Sequence, residues 1–255
     1  MPTNLARGCP KLVVLDLLGT VLEHDHAFQS ALAASFQAHG ERVDQDTASL
    51  ALGHPGPMGI RRVLKWLYPR EEPNEQSVAS IHDLTQKALM RLVKHAANMV
   101  AAPGVERLCT AWRQAGIQVV AASVLDEPVT TALTHRLGWQ TDSPFSALVV
   151  ASRLPQAWSS PGMIAECMRR VGMDDASQVA VVSPYLVSLV GARKLGCGWI
   201  VLKDDGALTM EQTMALAPSA IVEQASDLGA LWRLPSGKDV ALDDEIAAFL
   251  NKESA

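Results

Sequence analysis

Residues 12–20 read LVVLDLLGT: Leu12, Val13, Val14 and Leu15, then Asp16, Leu17, Leu18 and the Gly19-Thr20 pair. Four consecutive apolar residues, two of them β-branched, leave no polar face. A strand of that kind is buried on both sides, as in a parallel sheet. Asp16 ends the run, and Gly19-Thr20 supplies a loop at its carboxyl end. The same texture returns at Ile117–Ala122, Ala147–Ala151, Val179–Val182, Trp199–Leu202 and Ala220–Val222. Between these runs lie helical patterns at Val105–Ala115, after Asp126, from Pro161 through Met168 to Gly172, at Leu186–Leu195 and at Asp227–Trp232. Strands alternating with helices predict a doubly wound, Rossmann-like α/β fold.

The stretch from His24 to Ala102 holds no strand pattern. Its apolar residues recur at helical spacing: Phe28, Leu32, Phe36; Ile60, Val63, Leu64, Leu67; Ile81, Leu84, Leu89, Leu92, Val93. Breaks fall at Gly53–Pro57 and Pro69–Pro73. The expected organisation is an α/β core, residues 1–23 and 104–255, with a helical cap inserted at 24–103. Hinges near His24 and Pro103 would absorb cap motion. From Ser236 onward, Val240, Leu242, Ile246, Phe249 and Leu250 predict an amphipathic tail helix.

Composition narrows the function classes. With 48% hydrophobic and 19% charged residues, the 255-residue chain is globular rather than disordered. A net charge of −5 without a basic cluster argues against nucleic acid or an anionic membrane as partner. Cys9, Cys109, Cys167 and Cys197 show no CxxC spacing, so reduced thiols are expected rather than disulfides or zinc ligands. The first apolar run is too short to span a membrane, and a cytoplasmic location is expected.

Ligands of doubly wound folds bind beyond the carboxyl ends of the strands. The segments to inspect are Asp16–Thr20, Ala122–Asp126, Ser152–Pro161 and Ser183–Ser188. Each candidate has a plain structural alternative. Asp16 is a nucleophile or ligand contact, or a carboxylate held by its own loop. Ser123 contacts a ligand or caps the next helix. Trp158 stacks on a ligand or plugs apolar space. Arg61, Arg62 and Lys65 reach an acidic ligand or form a solvated helix face. Met58-Gly59 reads as a cap turn entering the cleft, or as a helix end. His24, Asp25 and His26 do not converge on a helix, which favours a hinge over a metal site.

LVVLDLLGTVLE resembles the first motif of the haloacid dehalogenase (HAD) superfamily, an apolar strand ending in Asp-x-Asp-Gly-Thr. Gly56-Pro57-Met58-Gly59-Ile60-Arg61-Arg62 resembles the Pro-Met-Gly segment in the cap of phosphonoacetaldehyde hydrolases. Ser123 stands where the second motif has Ser or Thr. Residues 154–161 (LPQAWSSP) and 181–196 (VVSPYLVSLVGARKLG) track the third and fourth segments. The resemblance, to the phosphonatase-like branch, runs over roughly residues 11–233 and implies an Asp16 nucleophile forming an aspartyl-phosphate beside Mg2+. It also implies a ligand-contacting shell of Leu18, Gly19, Thr20, Met58, Gly59, Arg62, Ser123, Trp158, Ser183 and Ser188.

Several of those positions depart from the family pattern. Arg62 replaces the Schiff-base lysine, and a guanidinium stays protonated. Trp158 replaces the third-motif Lys or Arg. Ser183 and Ser188 replace the fourth-motif acids, which leaves Asp16 with neutral oxygens as a poor Mg2+ site. A phosphoryl dianion beside a carboxylate needs cations. Losing two or three such elements, each worth several kcal/mol, costs about six orders of magnitude in rate. The expected protein has eroded HAD motifs and acts by binding a small-molecule ligand or protein partner. Two alternatives stay open: an active hydrolase using Asp16 as nucleophile on a small metabolite, and an association subunit, such as a homodimer formed through the cap.

Overall fold

The computed structural model describes residues 8–22, 26–96, 99–153, 161–206 and 208–232. Among them, six parallel strands form one sheet: β1 (Leu12–Asp16), β2 (Gln118–Ser123), β3 (Ala147–Val150), β4 (Val179–Ser183), β5 (Trp199–Lys203) and β6 (Ala220–Val222). The order is β3-β2-β1-β4-β5-β6. β1 is therefore central, paired with β2 from Leu12↔Gln118 to Asp16↔Ala122 and with β4 from Leu12↔Val179 to Leu15↔Val182. Every residue of β1 and β4 is buried, which explains why neither shows polar alternation. The sheet's strand order reverses at β1, so its carboxyl end opens onto the crevice where such folds hold ligands.

Four helices lie between β1 and the next core helix: α1 (Ala27–His39), α2 (Gln45–Ser49), α3 (Gly56–Leu67) and α4 (Glu75–His95). The first two breaks anticipated in the sequence coincide with real boundaries. α3 starts after Pro55, and α4 starts at Asn74, whose side chain accepts from Gln76 N at 2.8 Å and Ser77 N at 3.3 Å. These helices enclose a core of their own around Phe36, Val43, Ile60, Val63, Val78 and Ile81. Phe28, Leu89 and Val93 belong instead to the main core beneath the sheet. The two connections run side by side, with Ala102 N donating to Val21 O at 2.8 Å.

The remaining helices are α5 (Val105–Gln114), α6 (Glu127–Arg136), α7 (Gly162–Arg170), α8 (Leu186–Leu195), α9 (Met210–Leu216) and α10 (Leu228–Leu231). α8 ends at Gly196, whose φ of 81° lets Cys197 N return to Ala192 O at 3.0 Å. α9 has no counterpart among the elements expected from sequence. Its signal was local: Thr209 Oγ1 accepts from Gln212 N at 3.2 Å, while Gln212 Oε1 accepts from Thr209 N at 2.9 Å, a capping box. The expected tail helix from Ser236 lies outside the described residues. Among the described residues, no helix is long and apolar enough to cross a membrane.

Candidate functional site

β1 delivers Asp16 to the centre of the crevice, where the residue is only 5% exposed. The following loop turns back at once: Leu17 N donates to Ala122 O at 2.7 Å, Leu22 N to Leu17 O at 2.9 Å and Gly19 N to Leu22 O at 3.2 Å. Gly19, at φ 75°, is the position in this loop that a side chain would strain. β4 brings Ser183, and the first turn of α8 brings Ser188. Both hydroxyls donate to the same atom, Asp16 Oδ2, with Ser188 Oγ at 2.8 Å. Ser183 Oγ also accepts from Tyr185 N at 2.9 Å, which fixes its orientation.

Burial pushes the Asp16 carboxyl up to about 6, against the pull of the two serine hydrogen bonds. Below the carboxylate, a cavity of about 10 Å³, lined by Asp16, Ser188, Met163 and Val187, has room for at most one water. The Mg2+ that the sequence resemblance implies can be tested against this donor set. Mg2+ requires several hard anionic oxygens in octahedral array. Among the described residues one carboxylate stands here, and Ser183 and Ser188 spend their hydroxyl protons on it. The residues do not fit Mg2+. Among the described residues, no group of three or more His, Cys, Asp or Glu side chains is placed to hold a metal.

Other members of the expected shell sit elsewhere. Ser123 is fully buried, but its hydroxyl pairs with Thr130 Oγ1 at 2.8 Å and accepts from Leu125 N at 3.2 Å. It fastens the β2–α6 turn. Thr20 is buried, with no partner for its hydroxyl among the described residues. Met58 and Gly59 fall in the first turn of α3, which corrects their reading as a turn entering the cleft. Gly59 is needed there for another reason: a Cβ would stand 2.7 Å from Ala51 O. Arg62 is exposed on α3, near enough to His54 to help hold that imidazole below its usual range, after burial as the main cause. Its neighbours Arg61 and Lys65 pair with Glu75 and Glu72. Trp158, His24 and Asp25 lie outside the described residues.

Sequence reasoning missed a polar cluster between the inserted helices and the core. His82 on α4 pairs with the carboxylate of Asp126, the residue before α6, and Gln86 Nε2 lies 3.3 Å from His82 Nε2. Gly56 makes room for it, since a Cβ there would meet His82 Nε2 at 2.5 Å. At the other end of the same helix pair, Arg136 of α6 donates to Val93 O at 2.6 Å and to Ala96 O. α4 is thus tied to the core at both ends. Asp126 lay in a segment marked for inspection, but nothing local to His82 distinguishes it from any polar residue on a helix.

No protein-family model matches the chain, and no curated protein sequence matches it. Solved structures do. A hydrolase from Pseudomonas syringae superposes with a TM-score of 0.74 at 14% identity, covering 86% of this chain and 95% of that one. A phosphonoacetaldehyde hydrolase-like protein from Oleispira antarctica gives 0.70 at 17% identity, covering 91% and 96%. CbbY from Rhodobacter sphaeroides, solved with phosphate, gives 0.69 at 16% identity, covering 86% and 96%. The fold is the one these structures share, an α/β core with inserted helices; identities this low carry the fold alone.

Two pH effects follow. An unfolded aspartate titrates near 3.9, roughly two units below buried Asp16, so the folded state holds the proton more tightly. That contribution is complete below about pH 4 and is lost as pH rises through about 6, to the extent of about 3 kcal/mol. Asp16→Asn should therefore raise the urea midpoint at pH 7.5, with the gain shrinking toward zero near pH 4. For His82, the hydrogen bond to Asp126 raises the pKa above its usual value, so its contribution is full below about pH 6.5 and disappears as pH rises through the folded value. His82→Ala should cost about 1–2 kcal/mol at pH 6 and clearly less at pH 9, read from the same denaturation curves.

Proposed function

We propose that this chain is a phosphonatase-like HAD-fold protein with eroded motifs, withdrawn from Mg2+-dependent phosphoryl transfer and acting by binding a small ligand or a partner. The observation that carries the reading is the pair of hydrogen bonds from Ser183 and Ser188 to Asp16 Oδ2. A nucleophilic oxygen must be free to approach phosphorus in line, and the phosphoryl oxygens must meet positive charge. Two hydroxyls aimed at one carboxylate oxygen quench it and supply no net charge.

A second reading, association through the inserted helices, is favoured by α3. Trp66 is 60% exposed there, and Tyr68, just past the helix end, is 44% exposed. Aromatic side chains of this kind anchor protein interfaces more often than they decorate free surfaces.

The test is turnover of a panel of phosphate esters and phosphonoacetaldehyde with Mg2+, on wild type beside Asp16→Asn. The expected rates are indistinguishable, and neither Mg2+ nor inorganic phosphate should raise the melting temperature. Mg2+-dependent turnover that Asp16→Asn abolishes would overturn the proposal. Light scattering decides the second reading: a dimer in wild type that Trp66→Glu converts to monomer supports it, and a wild-type monomer removes it.

A further inference from the structure

A cavity of about 40 Å³ lies between the inserted helices and the core, with Leu18 among its lining residues. Asp16 does not line it. Its walls are mostly aliphatic and aromatic, with Leu18 and Leu125 from the core facing Phe28, Leu32 and Leu89 from α1 and α4. One end is polar: Thr85 and Gln86 of α4 and the carboxylate of Asp126. Thr85 is 3% exposed, and its hydroxyl has no partner among the described residues. A buried hydroxyl left unpaired is a cost that a bound hydrogen-bonding group would remove.

The charge at this end is already balanced. Asp126 pairs with His82, which also faces Gln86 and feels Asp83 on its own helix. His54, whose imidazole belongs to the lining, is held toward its neutral form by burial. An anion would find no unpaired cation among these residues, and a cation would have to displace His82 from Asp126. The volume corresponds to about three water-sized centres, room for a molecule of roughly three to five non-hydrogen atoms.

We propose that this cavity binds a short neutral amphiphile, an aliphatic chain carrying one hydroxyl or amide, with its head on the Thr85 hydroxyl and Gln86 and its chain against Leu18, Leu32 and Leu89. The inference rests on the reading of this fold as a binder, and it names the ligand class. It assigns no role to Asp16. Binding per atom has a ceiling that keeps Kd for so small a molecule no tighter than a few micromolar at about 1.5 kcal/mol per atom, and the probes are titrated up to millimolar concentration.

The experiment follows backbone amide resonances of the full-length protein during titration with 1-propanol, propionamide, propylammonium, propionate and inorganic phosphate. The expected result is saturable shifts at Thr85, Gln86 and Val124–Asp126 with the alcohol and the amide, at least tenfold weaker binding of both charged analogues, and none of phosphate. Thr85→Val preserves shape while removing the hydroxyl. It should weaken 1-propanol roughly five- to tenfold without lowering the melting temperature, since the orphaned group is gone. Three outcomes overturn the proposal: no saturable shift with any probe, equal or tighter binding of propionate or phosphate at these amides, or propanol affinity unchanged by Thr85→Val. Phosphatase activity lost in Asp16→Asn would sink the preceding proposal while leaving this titration to stand or fall by itself.

Discussion

A carboxylate withdrawn from water at the middle of a sheet needs compensation, and at Asp16 two serine hydroxyls provide it. Much of the site follows from that choice. Hydroxyls stabilise a carboxylate without adding charge, so burial still dominates and the carboxyl sits at about 6. A divalent cation in the same place would have reversed the sign of the shift and left the crevice positive. With hydroxyls the crevice needs no counter-ion and can close. The space that Asp16 lines with Ser188 and Met163 is large enough for one water at most.

The inserted helices are fastened to the core. α4 is held to α6 by His82 on Asp126 at one end and by Arg136 on the last carbonyls at the other. Arg136 meets the negative end of the α4 dipole, a favourable place for a guanidinium. Phe28, Leu89 and Val93 then join the main core, so moving the insertion away would expose large apolar side chains. What remains between the two layers is a small, mainly apolar cavity with a single polar end. Asp16 lines the smaller space beside Ser188, whereas Thr85, Gln86 and Asp126 line the larger one.

Several parts of this arrangement were legible in the residues. LVVL before Asp16 could only be a two-face-buried strand, and the later strand–helix alternation left little freedom of fold. Ser183 and Ser188 stand five apart, one closing a strand and one in the next helix, and both lay in a segment marked for inspection beyond a strand end. α9 was equally local, written in the Thr209–Gln212 box, and its omission reflects weight placed on apolar spacing rather than on caps. Met58-Gly59 misled because Pro and Gly signal turns; here Pro57 opens a helix and Gly59 admits the backbone of Ala51.

By itself, the sequence determined the class of fold, the placement of one acid at the switch point, and serine rather than acid at positions 183 and 188. These are matters of residue type and short spacing. The tertiary structure decided where the hydroxyls point. Ser183 and Ser188 meet Asp16 from 167 and 172 residues away, whereas Ser123, on the adjacent strand, turns to Thr130 instead. It also decided that His82 finds Asp126 across 44 residues, and that Thr85 is left facing apolar walls. Such pairings depend on how strands register and how helices cross. Many distant residues contribute to that geometry, and no local window of sequence contains it.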